Sequence, residues 1–101
     1  MTTRVTLSEA ALQDVDNIAD YTLSQWGSRQ MKSYLAQIDA MFLKLSENPE
    51  LGRKHAFRDG GMRSVLAGRH TIYFLVGGEE VEIVRVLHQS QDAPKHLGTS
   101  K

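Results

Sequence analysis

Between Ser8 and Asn48 the chain carries two apolar stripes at helical spacing, and neither stripe can bury itself. The first runs through Ala11, Leu12, Val15, Ile18, Ala19, Thr22, Leu23 and Trp26. On a helical wheel these residues fall to one side, with Gln13, Asp16, Asn17, Asp20 and Ser24 opposite. The second stripe holds Met31, Tyr34, Leu35, Ile38, Phe42 and Leu45 and runs out at Asn48-Pro49. Ser8 is placed to cap the first helix, with Leu7 and Leu12 at the two positions of a hydrophobic staple. Gly27 is a stop signal, and Ser28 reads as the cap of the second helix. Two such helices joined by a short turn form an antiparallel hairpin, and its apolar side must cover another layer.

The second half of the chain supplies that layer. Residues 62–66 are a modest strand candidate. The run His70-Thr71-Ile72-Tyr73-Phe74-Leu75-Val76 is a strong one, rich in β-branched and aromatic side chains. Gly77-Gly78 predicts a hairpin turn, after which residues 80–88 return as a further strand. Strict alternation there puts Val81, Ile83, Arg85 and Leu87 on one face, and Glu80, Glu82, Val84, Val86 and His88 on the other. A short strand candidate, Arg4-Val5-Thr6-Leu7, opens the chain. The expectation is an α+β domain: a helical hairpin packed on one face of a small, mainly antiparallel sheet, in the order β-α-α-β-β-β. Residues 49–61 read as a loop containing Gly52, Gly60 and Gly61, and residues from Asp92 onward as an irregular tail. With no repeat or linker, residues 1–101 read as a single domain.

Composition narrows the function classes. The chain has no cysteine, so disulfide and thiolate chemistry are excluded. No window approaches the roughly 18 consecutive apolar residues of a membrane span, and no signal-peptide pattern opens the sequence. A cytoplasmic protein is expected. Net charge is zero, yet residues 1–52 carry −3 and residues 53–101 carry +3 together with all four histidines. That polarity predicts a positive face built by the second half, while zero net charge argues against nonspecific gripping of nucleic acid.

Phosphate loops, nucleophile elbows and His-x-x-x-His pairs are absent from the sequence. His55, His70, His88 and His96 are spread too widely to read as a metal site, and no cofactor is expected. Asp14, Asp16 and Asp20 read as a solvated outer face of the first helix rather than as acid–base or metal groups. Arg85 stands apart. Amid Ile83-Val84-Arg85-Val86-Leu87 it needs a carboxylate or carbonyl partner, or a ligand to point at. Arg63 and Arg69-His70, on or beside adjoining strands, can join it in one basic patch.

Four segments resemble the ParE branch of the ParE/RelE toxin superfamily. They are Tyr21-Thr22-Leu23-Ser24-Gln25-Trp26-Gly27, Glu47-Asn48-Pro49-Glu50-Leu51-Gly52-Arg53, Gly68-Arg69-His70-Thr71-Ile72-Tyr73-Phe74 and Ile83-Val84-Arg85-Val86-Leu87-His88-Gln89-Ser90. The third is similar to the family's Gly-x-His-x-x-x-Phe-Tyr-like strand, with tyrosine and phenylalanine in swapped order. The resemblance spans nearly the whole chain and implies the toxin half of a type II toxin–antitoxin pair, held by a ParD-like antitoxin. ParE-type members poison DNA gyrase by stalling it on cleaved DNA; RelE-type members cut messenger RNA in the ribosome. On the first reading Arg63, Arg69, His70, Arg85 and His88 contact the target and no residue is catalytic. On the second, Arg63, Arg69 and Arg85 would serve an RNase with His88 as base, although residues 89–101 offer neither tyrosine nor arginine. A third reading is a non-toxic antitoxin-binding module. The antitoxin's C-terminal segment is expected along the helical hairpin and sheet, with Tyr21, Trp26 and Tyr34 as its anchors or, alternatively, as ordinary core. Two positions depart from the family pattern: Met62 stands where relatives commonly have tyrosine, and Gln91 where methionine is usual.

Overall fold

The computed structural model describes residues 3–55 and 61–91. Strand β1 (Arg4–Leu7) leads into helix α1 (Glu9–Trp26) and helix α2 (Ser28–Glu47), followed by strands β2 (Arg53–Lys54), β3 (Arg63–Ala67), β4 (His70–Gly77) and β5 (Glu80–His88). The strands form one five-stranded sheet in the order β1-β5-β4-β3-β2. Two helices on a small sheet is the architecture expected, with two amendments. The predicted loop 49–61 contains β2, a two-residue strand paired antiparallel to β3. In addition, β1 lies parallel to β5, from Arg4↔Glu80 to Leu7↔Ile83, so the sheet is mixed. The helical hairpin is the crossover that a parallel neighbour requires.

The apolar stripes meet the sheet as their spacing demands. Ala11 and Ile18 of α1 and Ile38 and Leu45 of α2 are buried against Ile72, Phe74, Val81, Ile83 and Val86. Full burial of each large side chain contributes about 1.5–3 kcal/mol. Tyr34, Leu35, Met41 and Phe42 pack at the margin of this core. Ser8 caps α1 as expected, its Oγ accepting from Ala11 N–H at 3.0 Å. The outer half of the expected staple is not buried: Leu12 is 53 % exposed. Nor does Ser28 cap α2. Gly27 takes the capping position with φ +93°, and Ser28 is the first helical residue, so this helix starts without a side-chain cap.

Strict alternation fails in β5. Tyr73 stands opposite Arg85 and Phe74 opposite Ile83, which leaves Val84 as an extra residue in a β-bulge. The bulge resets the phase. Val86 therefore joins Val81 and Ile83 in the main core, while Leu87 packs with Met62, Tyr73, Leu75 and Val84 on the opposite side of the sheet. The predicted grouping of Val81, Ile83, Arg85 and Leu87 is thus broken after Ile83. Gly77 belongs to β4, paired with Glu80, and the tight turn is Gly78-Glu79. The expected irregular tail from Asp92, with Pro94 and His96, lies outside the described residues.

Candidate functional site

Because β1 ends at Leu7, the outer edge of β5 is open from Val84 onward, and side chains of α1's first turns take the place of a strand. Ser8 Oγ donates to the Val84 carbonyl at 2.8 Å. Asp14, in the second turn of the helix, accepts Val86 N–H at 2.9 Å. The same carboxylate accepts Arg85 Nε at 2.7 Å and Arg85 Nη2 at 2.9 Å, a two-point clasp between α1 and β5. Asp14 thereby holds the Arg85 guanidinium more firmly in its charged form, against the opposing effect of burial. Asp14 is therefore not the solvated residue its neighbours Asp16 and Asp20 suggested, and Arg85 has the carboxylate partner its apolar surroundings required.

Beyond this clasp, a groove of about 770 Å³ opens between the helical hairpin and the β4–β5 end of the sheet. Its helical wall carries Tyr21 and Trp26, which are 66 % and 70 % exposed. Of the two alternatives the sequence left for them, surface anchors or ordinary core, the structure excludes core packing for both. Its sheet wall carries Arg69, His70, Val86 and His88.

Tyr34 fixes the turn between β3 and β4. Its hydroxyl accepts Arg69 N–H at 2.9 Å, lies 2.6 Å from His70 Nδ1, and is 3.3 Å from the Ala67 carbonyl. The ring presses on Gly68, whose φ is +63°; a Cβ there would sit 2.5 Å from Tyr34 Cε1. Glycine is required on both counts. Opposite, His88 pairs with His70 across the antiparallel ladder, the two rings edge to face with centroids 5.3 Å apart. His88 Nδ1 accepts Ser90 N–H at 3.1 Å and lies 2.8 Å from Ser90 Oγ. Gln91 Oε1 accepts His88 N–H at 2.7 Å. Burial, and secondarily the neighbouring His88, push the His70 pKa below the ordinary imidazole value, with Asp14 opposing.

Not all expected site residues meet here. Arg69, His70 and His88 share the groove with Tyr21, Trp26 and Tyr34. Arg85 is engaged by Asp14. Arg63 sits at the far end of β3, where its Nη1 donates to the Glu50 carbonyl at 3.0 Å and ties down the loop after α2. On the other face of the sheet His55 Nε2 lies 2.6 Å from buried Ser64 Oγ, and its ring tilts against Tyr73. Burial, then Arg53, lower the His55 pKa. Among the described residues, no cluster of three or more His, Cys, Asp or Glu could hold a metal ion, and no helix is long and apolar enough to cross a membrane.

The family profile described as "ParE toxin of type II toxin-antitoxin system, parDE" matches residues 5–93. The chain belongs to this toxin family. It is 37 % identical over 92 residues to Toxin ParE1 of Caulobacter vibrioides, covering 91 % of this chain and 95 % of the relative. It is 36 % identical over 98 residues to Toxin ParE1 of Mycobacterium tuberculosis, covering 96 % of this chain and 100 % of the relative. The toxin's fold is that of a chain from the chromosomal ParDE system of P. aeruginosa, with TM-score 0.73, 19 % identity, and 86 % and 96 % of the two chains covered. A chain of the M. tuberculosis toxin–antitoxin complex RelBE2 also shares it, with TM-score 0.63, 20 % identity, and 88 % and 100 % covered.

Proposed function

We propose that this toxin acts in the cytoplasm as a protein inhibitor of DNA gyrase, stalling the enzyme on cleaved DNA, and that a ParD-like antitoxin neutralises it by occupying the groove beside Tyr21 and Trp26. One observation carries the preference for inhibition over RNA cleavage: the groups an RNase would need do not converge. Arg85 is committed to Asp14, and Arg63 to the Glu50 carbonyl at the other end of β3. Arg63 and Ala67, the partner of His70, stand four positions apart along β3, a span of about 13 Å. Only Arg69, His70 and His88 remain together, and a phosphoryl-transfer site needs positioned charge stabilisation beyond one exposed guanidinium. The gyrase assignment itself is supported by membership of the ParE toxin family.

The antitoxin assignment is supported by the exposure of Tyr21 and Trp26 beside a concave surface, since clustered exposed aromatics mark interaction sites. Tyr34 contributes by shaping the groove's sheet wall. The deciding experiment adds purified toxin to gyrase and supercoiled or relaxed DNA. Accumulation of cleaved DNA is expected. Untouched gyrase, together with transcripts cut at ribosomes after induction, would transfer the function to Arg69, His70 and His88 as an RNA-cleaving remnant.

A further inference from the structure

The groove has two chemically different ends. At the hairpin end lie Trp26 and Tyr21; at the sheet end lie Arg69, His70, His88 and Gln91. We infer that the sheet end is a carboxylate pocket, which receives an aspartate or glutamate side chain from the antitoxin segment whose apolar residues cover Tyr21 and Trp26. This rests on the reading of the groove as the antitoxin site.

The hydrogen-bond network assigns donors to this end. Ser90 N–H is donated to His88 Nδ1, so neutral His88 carries its proton on Nε2. The Tyr34 hydroxyl accepts Arg69 N–H and makes its shortest contact with His70 Nδ1, at 2.6 Å. That hydroxyl donates to the Ala67 carbonyl at 3.3 Å, so His70 braces the Tyr34 oxygen and the N–H donors of this end come from its neighbours. Gln91 uses its carbonyl oxygen on His88 N–H and keeps its amide N–H groups. Arg69 is exposed, and among the described residues its guanidinium has no partner. Asp14, the acidic residue lining the groove, is paired with the Arg85 guanidinium and also accepts Val86 N–H, so its charge is already compensated. The sheet end therefore offers N–H donors and one uncompensated positive charge, with no acceptor of matching strength.

Charge decides between the anions that could satisfy such a cluster. An imidazole N–H, a side-chain amide and a single guanidinium match a monoanion; a phosphate dianion calls for a denser cationic cradle. The zero net charge of the chain provides no general attraction for a polyanion. The apolar continuation of the groove, through Ile18 and Val86 to the exposed aromatics, fits a carboxylate carried on a largely apolar peptide.

The test combines two readouts. In the first, toxin labelled with ¹⁵N-histidine is titrated with acetyl-Leu-Leu-Glu-amide, with its Gln counterpart, and with inorganic phosphate. The Glu peptide is expected to move the Nε2 resonance of His88 and to bind about tenfold more tightly than the Gln peptide. Equal behaviour of the two peptides, or tighter binding of phosphate than of the Glu peptide, overturns the inference. In the second, affinity for the cognate antitoxin is measured for Arg69→Gln and Trp26→Ala. An approximately tenfold loss for each supports the pocket. A loss confined to Trp26→Ala overturns the carboxylate pocket and leaves the groove reading standing. No loss in either variant removes the groove reading and the pocket with it.

Discussion

Asp14 satisfies three donors with two oxygens, and all three belong to the last strand. Truncation to alanine leaves a partly buried guanidinium and a strand-edge N–H without their acceptor. Asp14→Ala is expected to lower unfolding free energy by about 1.5–3 kcal/mol in urea titrations. Asp16→Ala on the exposed face should stay within about 0.5 kcal/mol. Equal effects would mean the clasp contributes nothing beyond surface charge. His70 makes a pH-dependent contribution. Asp14, Tyr34 and His88 face it, and burial and His88 depress its folded pKa below 6.5. As pH falls, the unfolded chain takes up this proton first, so the stability His70 provides is complete above about pH 6.5 and is lost as pH drops through its folded value. His55, also depressed, adds to the same trend. Urea midpoints should therefore decline from pH 7 to pH 5, and His70→Gln should flatten part of the decline. A midpoint that rises on acidification would contradict this. Asp14 could have been found from the sequence. It lies three residues after Ala11 and four before Ile18, on the flank of the buried stripe, and Arg85 needed a carboxylate. Reading each alone hid the pair.

The helices, and the strands that their apolar sides cover, were legible because one period dominates each: Ile18, Ile38 and Leu45 repeat at helical spacing, Ile72 and Phe74 at strand spacing. Legibility failed where a tertiary partner sets the geometry. The Val84 bulge has no local signature among five consecutive residues that are apolar apart from Arg85. Strand β2 is two residues long, and Arg53-Lys54 carry no apolar pattern at all. Trp26 sits at a stripe position but lies at the last turn of α1, where the stripe runs past the sheet, so its ring faces outward. The β3–β4 turn offers a test of such long-range demands. Gly68→Ala forces a left-handed alanine, about 1–2 kcal/mol, and also drives a methyl into Tyr34. Its cost should shrink toward the backbone contribution alone in a Tyr34→Ala background, as measured by a double-mutant cycle. Strict additivity would show that Tyr34 does not press on the turn.

The toxin gains stability from whatever binds its groove in the folded state alone. With free antitoxin at 100 times its dissociation constant, unfolding free energy should rise by about 2.7 kcal/mol, readable as a thermal shift. Trp26→Ala should leave the isolated toxin within about 0.5 kcal/mol of its parent, because the ring is 70 % exposed, while antitoxin affinity falls about tenfold. An unstable Trp26→Ala toxin would mark the ring as a structural element. The parallel pairing of β1 with β5 bears on the timing of synthesis. The first strand has as its neighbour the last, and Ser8 reaches its partner Val84 across 76 positions. Translation proceeds at about 5–20 residues per second, so the emerging helical hairpin waits several seconds with Ile18, Ile38 and Leu45 uncovered. During that interval the poison is unfinished, and a chaperone or a waiting antitoxin can meet the nascent chain before the ribosome has produced anything able to do harm.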